Sequence, residues 1–154
     1  MQNVSRRFWS KVRKDEGCWE WTAAHTAGGY GGFWLHGAVM YAHRYSYEAL
    51  VGPIPPGIFI DHICHNRSCV NPDHLRLATP GQNSENHNGP SRANTSGVRG
   101  VTFCKMTGRW FVTVRHEGHA NFIGRFVDIK DAEDAAIAAR NRLHTFNNRD
   151  HLAA

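Results

Sequence analysis

The chain has 154 residues, 41% hydrophobic and 20% charged, with 18 Lys/Arg against 13 Asp/Glu and a formal charge of +5. The length suits one domain or two small ones, and the hydrophobic share is low for one large core, so a metal or other staple is expected. No run of eighteen apolar residues exists to span a membrane, and Met1 to Lys14 lacks the apolar stretch of a signal peptide, so the expectation is a soluble cytoplasmic chain with no membrane partner.

The charge is unevenly placed. Residues 1–85 hold eight Lys/Arg against seven Asp/Glu, and residues 86–154 hold ten against six. Within 92–126 six basic residues face one acidic residue, Glu117, the footprint of a nucleic-acid-binding surface. Four cysteines occur, at 18, 64, 69 and 104. Without a secretion signal, metal ligation is the better reading than disulfides.

In chain order, Gly17 to Thr22 alternates large apolar with smaller or polar residues and predicts a strand. A Gly-rich turn (Gly28, Gly29, Gly31, Gly32) leads to a second strand over 31–35. Tyr41, Tyr45 and Ala49 recur at the helical spacing and predict a helix over 41–50, closed by the Pro-rich turn 52–57. A short strand at 58–60 delivers Asp61 and His62 at its end, and 75–78 is the returning strand. Thr79-Pro80 reads as an N-cap with proline in the first helical position, placing Asn83 on the opening turn.

The loop between those two strands carries Cys64, Cys69 and His74, spaced to converge on one ion. Thiolate and imidazole suit Zn²⁺, and such an ion would hold a loop too polar to hold itself. Cys18 is the natural fourth ligand, with His43 and His65 as rivals. Asp61 and Asn83 are oxygen donors bracketing His62, and they suit Mg²⁺ or Mn²⁺. A turn that merely exposes Asp61 and His62 is the bland alternative. A structural ion set apart from a catalytic one is the arrangement of an enzyme that cuts phosphodiesters.

This order of residues resembles the HNH nucleases, and more closely the zinc-bearing His-Cys box branch of the ββα-metal superfamily. The carrying residues are Asp61, His62, Cys64, Cys69, Asn71, Pro72, His74, Leu75 and Asn83, with Gly17-Cys18-Trp19-Glu20-Trp21 and Ala42-His43-Arg44 upstream. The resemblance covers about residues 5–87. It implies that His62 is the general base, that Asp61 and Asn83 hold a divalent cation at the scissile phosphate, and that His74 serves as a zinc ligand. Arg44 is a candidate phosphate clamp, with a structural salt bridge as the alternative.

From Gly97 the pattern changes. Strands over 100–103, 109–115 and 119–126 are followed by a helix capped by Asp128 and running to about Phe146, with Ala132, Ala135, Ala136, Ala139 and Leu143 as a narrow packing stripe. Arg99, Lys105, Arg109, Arg115 and Arg125 are assigned to the open face of the sheet. This half resembles the plant ethylene-response-factor (apetala-type) DNA-binding domain, which also occurs fused to phage HNH nucleases. The matching residues are Ser96 to Val101, Gly108-Arg109-Trp110, Val112 to Arg115 and Phe122 to Phe126. The resemblance implies DNA contacts by Arg99, Trp110 and Arg115, with a core aromatic beneath the helix as the alternative for Trp110.

The expected architecture is α+β: a zinc-stabilised ββα-metal nuclease domain (1–88), a polar linker (89–96), and a three-stranded antiparallel sheet with one helix (97–154). The expected function is a metal-dependent endonuclease of the homing, mobile-element or phage kind. It would act as a monomer on double-stranded DNA and leave 5′-phosphate and 3′-hydroxyl ends. The reading from another class is a non-catalytic, zinc-containing, sequence-specific DNA-binding regulator.

Overall fold

The structure is a computed structural model that describes residues 4–86 and 89–147. The chain divides into two compact units, 1–79 and 80–154. Both mix α and β structure, and the sheets are small and antiparallel.

The first unit is a set of short hairpins around aromatic side chains. Helix α1 (Val4–Trp9) and strand β1 (Val12–Lys14) carry no periodicity strong enough to read from sequence, and β1 pairs with β2 (Trp19–Trp21). Strand β3 (Gly32–Leu35) turns into β4 (Ala38–Tyr41), a strand the sequence reading omitted. The two-residue turn is His36-Gly37, both with positive φ (50° and 83°), as the twist of a tight hairpin requires. Helix α2 (Ala42–Leu50) follows directly. Phe8, Trp21, Phe33, Ala42 and Val70 form the buried cluster, with ring centroids of Phe8 at 5.1 Å from both Trp21 and Phe33 and 4.4 Å from Tyr45. Gly31 sits under the Trp21 indole, where a Cβ would lie 2.7 Å from the ring, so no larger residue fits unmoved.

Strands β5 (Phe59–His62) and β6 (Leu75–Ala78) form the hairpin that carries the motif, with Asp61 opposite Arg76 and His62 opposite Leu75. Asp61 and His62 thus lie within the strand rather than just past its end. Tyr47, Ile60 and Leu75 bury a second apolar cluster beneath it. The connecting loop is stitched to β2: Trp21 N donates to Ser68 O (2.9 Å) and Val70 N to Trp19 O (2.8 Å). Pro72–His74 makes one 3₁₀ turn, capped by Asn71, whose Oδ1 accepts from Asp73 N (3.1 Å) and whose Nδ2 donates to Gly17 O (2.9 Å).

The second unit begins with helix α3 (Pro80–Glu85). Residues 87 and 88, at the end of the expected first domain, lie outside the described residues. The polar stretch expected to act as a linker over 89–96 is hydrogen-bonded into this unit. Asn94 Nδ2 donates to the carbonyls of Val98 and Val101, and Ser96 Oγ to Val101 O at 2.7 Å. Its polar side chains find backbone partners, so a composition that predicts a tether instead builds a turn.

Strands β7 (Val101–Cys104), β8 (Arg109–His116) and β9 (His119–Phe126) form one sheet in that order, with a register shift between Val112 and Thr113. Asp128 caps helix α4 (Ile129–Leu143), its carboxylate accepting from Lys130 N at 2.6 Å. The alanine stripe is realised. Ala132, Ala136 and Ala139 are buried, and the first two pack against Val101 and Val112.

Candidate active site and metal centre

Cys18, Cys64, Cys69 and His74 offer ligand atoms that all lie within 4.8 Å of one another. His74 Nδ1 is 3.5 Å from Cys18 Sγ and 3.6 Å from Cys69 Sγ. A tetrahedral ion with sulfur at about 2.3 Å and nitrogen at about 2.0 Å separates those atoms by about 3.5 Å. The residues therefore fit such an ion without rearrangement of the His74 contacts. The pairing of β2 with the loop explains why Cys18 completes the set. Glu20 forms a β-bridge with Cys69, which brings the residue two positions earlier alongside. His43 and His65 are not members of the cluster.

The electrostatics of the cluster point the same way. A hydrogen bond with Cys69 holds the Cys64 thiol down to about 5, and the same contact pushes the Cys69 thiol up. Burial raises Cys18. One thiolate is thus stabilised at its neighbours' expense, a conflict that a divalent cation relieves by binding every member deprotonated.

His62 is 7% exposed, and its Nε2 donates to the carbonyl of Cys69 at 3.0 Å. A carbonyl only accepts, so in the neutral ring the lone pair is on Nδ1. Burial lowers the pKa of His62, against an opposing contribution from that backbone bond, and keeps the imidazole neutral. Aromatic rings wall it in. His43 stands edge-on at 4.7 Å and Tyr30 lies at 5.9 Å. Burial, then the neighbouring His62, pushes His43 down to about 3, so this second imidazole adds no charge.

Asp61, 6% exposed, forms an ion pair with Arg76, whose Nε (2.9 Å) and Nη2 (2.8 Å) both reach Oδ2. Sequence reasoning missed Arg76. The signal was present in the antiparallel register, which sets 76 directly opposite 61. The double contact to one oxygen fixes the carboxylate's orientation. Arg44 is half-buried on α2. Asn83 is exposed on α3, in the order strand, loop, strand, helix that the motif predicts.

In the second unit, Lys105, Arg109, Arg115 and Arg125 are exposed. Two of the assigned contact residues are placed differently. The Arg99 guanidinium donates to the carbonyls of Glu85 (3.0 Å) and Ser84 (3.3 Å), and Trp110 is half-buried against the Val101–Val112 core, on the helix side of the sheet. Strand alternation accounts for Trp110, since it shares a face with buried Val112 and Val114. The open face instead carries a platform absent from the sequence reading. The Arg125 guanidinium lies 5.1 Å from the Phe111 ring and 5.8 Å from that of Phe122, which is 57% exposed.

A thiolate–imidazole cluster behind a strand that bears a buried Asp-His pair defines the class, and comparison with known proteins agrees. Residues 40–87 match the family described as HNH endonuclease. Over 103 residues the chain is 40% identical to Protein 3.8 of Escherichia phage T7, covering 66% of this chain and 83% of that protein. It is 47% identical over 70 residues to Protein 7.7 of the same phage (46% of this chain), and spans about half of that relative's length, 54%. It is also 44% identical over 64 residues to the uncharacterized HNH endonuclease L560 of Acanthamoeba polyphaga mimivirus, covering 41% of this chain and 33% of that one. The chain belongs to the HNH endonuclease family. No solved structure matches it, and among the described residues no helix is long and apolar enough to cross a membrane.

Proposed function

We propose that the protein is a metal-dependent endonuclease that hydrolyses phosphodiester bonds of double-stranded DNA, leaving 5′-phosphate and 3′-hydroxyl ends. One observation carries the reading: a buried, neutral His62, anchored through Nε2 to the Cys69 carbonyl, inside the segment that matches the HNH family. An imidazole so oriented has its Nδ1 lone pair ready to take a proton from an attacking water.

Asp61 and Asn83 are the residues that would hold Mg²⁺ or Mn²⁺. Such an ion supplies charge stabilisation to the phosphate and the leaving 3′ oxygen. Arg76 keeps the Asp61 carboxylate in one orientation for that purpose. Arg44 offers a guanidinium to phosphate oxygens. Cys18, Cys64, Cys69 and His74 would hold Zn²⁺, whose affinity becomes folding free energy for the loop that supports His62. The second unit serves as an ethylene-response-factor-type reader, with Lys105, Arg109, Arg115 and Arg125 against the phosphates. The protein works as a monomer of phage or mobile-element type.

The test is cleavage of supercoiled plasmid, and of host and phage DNA, with Mg²⁺ or Mn²⁺. Wild type should nick or linearise at least one of these substrates. His62→Ala should lose about 100- to 10,000-fold in rate while remaining folded by circular dichroism at the assay temperature. Intact DNA throughout, with the protein folded and bound, sinks the nuclease reading; equal cutting by His62→Ala removes the assigned base.

A further inference from the structure

Beyond the site already described, the second unit gathers Glu85 from the end of α3, His116 from the end of β8 and His144 from the C-cap of α4. Their ligand atoms lie within 4.8 Å of one another. The three residues are 59 positions apart in sequence at their extremes, and no spacing motif announces them. His116 Nδ1 is 3.2 Å from Glu85 Oε1. That separation is close to the edge of a tetrahedron built on metal–ligand bonds of about 2.0–2.1 Å.

His144 supplies the independent observation. It is 5% exposed, and its Nε2 donates to the Arg115 carbonyl at 2.9 Å, which leaves the lone pair on Nδ1. That Nδ1 is buried and meets no hydrogen-bond partner among the described residues. A buried acceptor without a donor is costly, and it belongs to a ring set within ligand distance of a carboxylate and a second imidazole, those of Glu85 and His116. No proton shared between Glu85 and His116 satisfies it, whereas a cation satisfies all three groups. An imidazole held by a backbone carbonyl through its other nitrogen is also the usual dress of a metal-bound histidine.

The surroundings suit an ion. Glu85 and His144 line a cavity of about 290 Å³, roomy enough for a metal with solvent in its remaining coordination position. Glu85 is oriented by its other oxygen, Oε2, which accepts from Thr145 N (3.1 Å) and Phe146 N (3.4 Å). Arg99, Arg115 and Arg140 also border the cavity, but Arg99 donates to the backbone carbonyls of Ser84 and Glu85, Arg140 to the carbonyl of Arg99 (2.6 Å), and Arg115 is exposed.

The geometry points to a second transition-metal site, in which Glu85, His116 and His144 bind a divalent ion such as Zn²⁺ through one carboxylate and two imidazoles. Nitrogen and oxygen donors of this kind favour Zn²⁺, Co²⁺ or Ni²⁺ over Mg²⁺. The ion staples α3 and the end of α4 to the rim of the sheet.

Co²⁺ titration of the metal-stripped full chain tests this, in excess Mg²⁺ to fill sites built from oxygen alone. Wild type should take up two equivalents. One brings the intense thiolate-to-cobalt absorption of the cysteine cluster, and the other only weak visible bands from nitrogen and oxygen ligands. His144→Gln and His116→Gln should each lose the second equivalent and keep the thiolate band. Zn²⁺ should raise the melting temperature of the second unit in wild type and leave it unmoved in both variants. His116 is partly exposed, so its variant decides the matter if His144→Gln fails to fold. Uptake of a single, thiolate-bound equivalent by wild type, or two equivalents by a folded variant, overturns the assignment.

Discussion

The two units hold themselves together in different ways. In the second, a three-stranded sheet and a 15-residue helix enclose Val101, Val112, Ala132 and Ala136, a layered packing of the ordinary kind. In the first, the sheets have two strands each, and the loop over 63–74 contributes Val70 to the aromatic cluster. That loop carries three of the four clustered metal donors and also the carbonyl that orients His62. The contrast teaches where a metal matters most. In the first unit a metal at the Cys/His cluster would hold a loop that gives Val70 to the aromatic core, and in the second a metal at Glu85, His116 and His144 would add only to the rim of the core.

The strongest way to break this comparison is to remove a donor from each unit. Cys69→Ser should abolish one tightly bound metal and cost more than about 4 kcal/mol, a loss diagnostic of a missing structural ion. Urea unfolding followed by tryptophan fluorescence, with metal content read by mass spectrometry, checks it. His144→Gln should shift stability by less than Cys69→Ser. Equal shifts would show that the two units depend on metal alike.

Arg76→Ala comes next. Without its partner the Asp61 carboxylate loses its fixed orientation, and cleavage should fall about 10- to 100-fold, the usual penalty for losing a supporting contact behind a metal ligand. The Mg²⁺ concentration for half-maximal rate should rise as well. Unchanged Mg²⁺ dependence would confine Arg76 to a structural role.

Gly31→Ala probes the core of the first unit apart from its metal. A methyl group 2.7 Å from the Trp21 ring forces the aromatic cluster to shift, at a cost of about 1–3 kcal/mol. Metal content should stay intact, and a stability within error of wild type would mean the cluster is looser than its packing indicates. The smallest effect belongs to Arg125→Ala. Its loss from the Phe111–Phe122 platform should leave the melting temperature nearly unchanged and reduce the salt slope of DNA binding by about one. An unaltered slope would take Arg125 out of the contact surface.

Much of the first unit's chemistry was legible because its signals are local. Cys64, Cys69 and His74 lie within one loop, and Asp61 and His62 are adjacent, so spacing alone brings them together. Strand β6, strand β9 and the Asp128 cap also follow from alternation and capping chemistry. Strand β4 escaped because His36 stands where a two-residue hairpin turn usually carries Asn, Asp or Gly, and α1 and β1 because six and three residues hold too little periodicity.

By itself the sequence determined the ordered set of candidate metal donors and the histidine beside them, since ligand chemistry depends on residue type and short spacing. It also determined the alternating strands and alanine-striped helix of the second half. Tertiary structure chose among the distant groups that could complete those candidate sets. Pairing of β2 with the motif loop brought in Cys18 over His43 and His65, and the β5–β6 register brought Arg76 to Asp61. Strand facing turned Trp110 toward the core and left Phe111, Phe122 and Arg125 outside. The gathering of Glu85, His116 and His144 depends on three element ends meeting at one rim, a coincidence of packing that no linear pattern encodes.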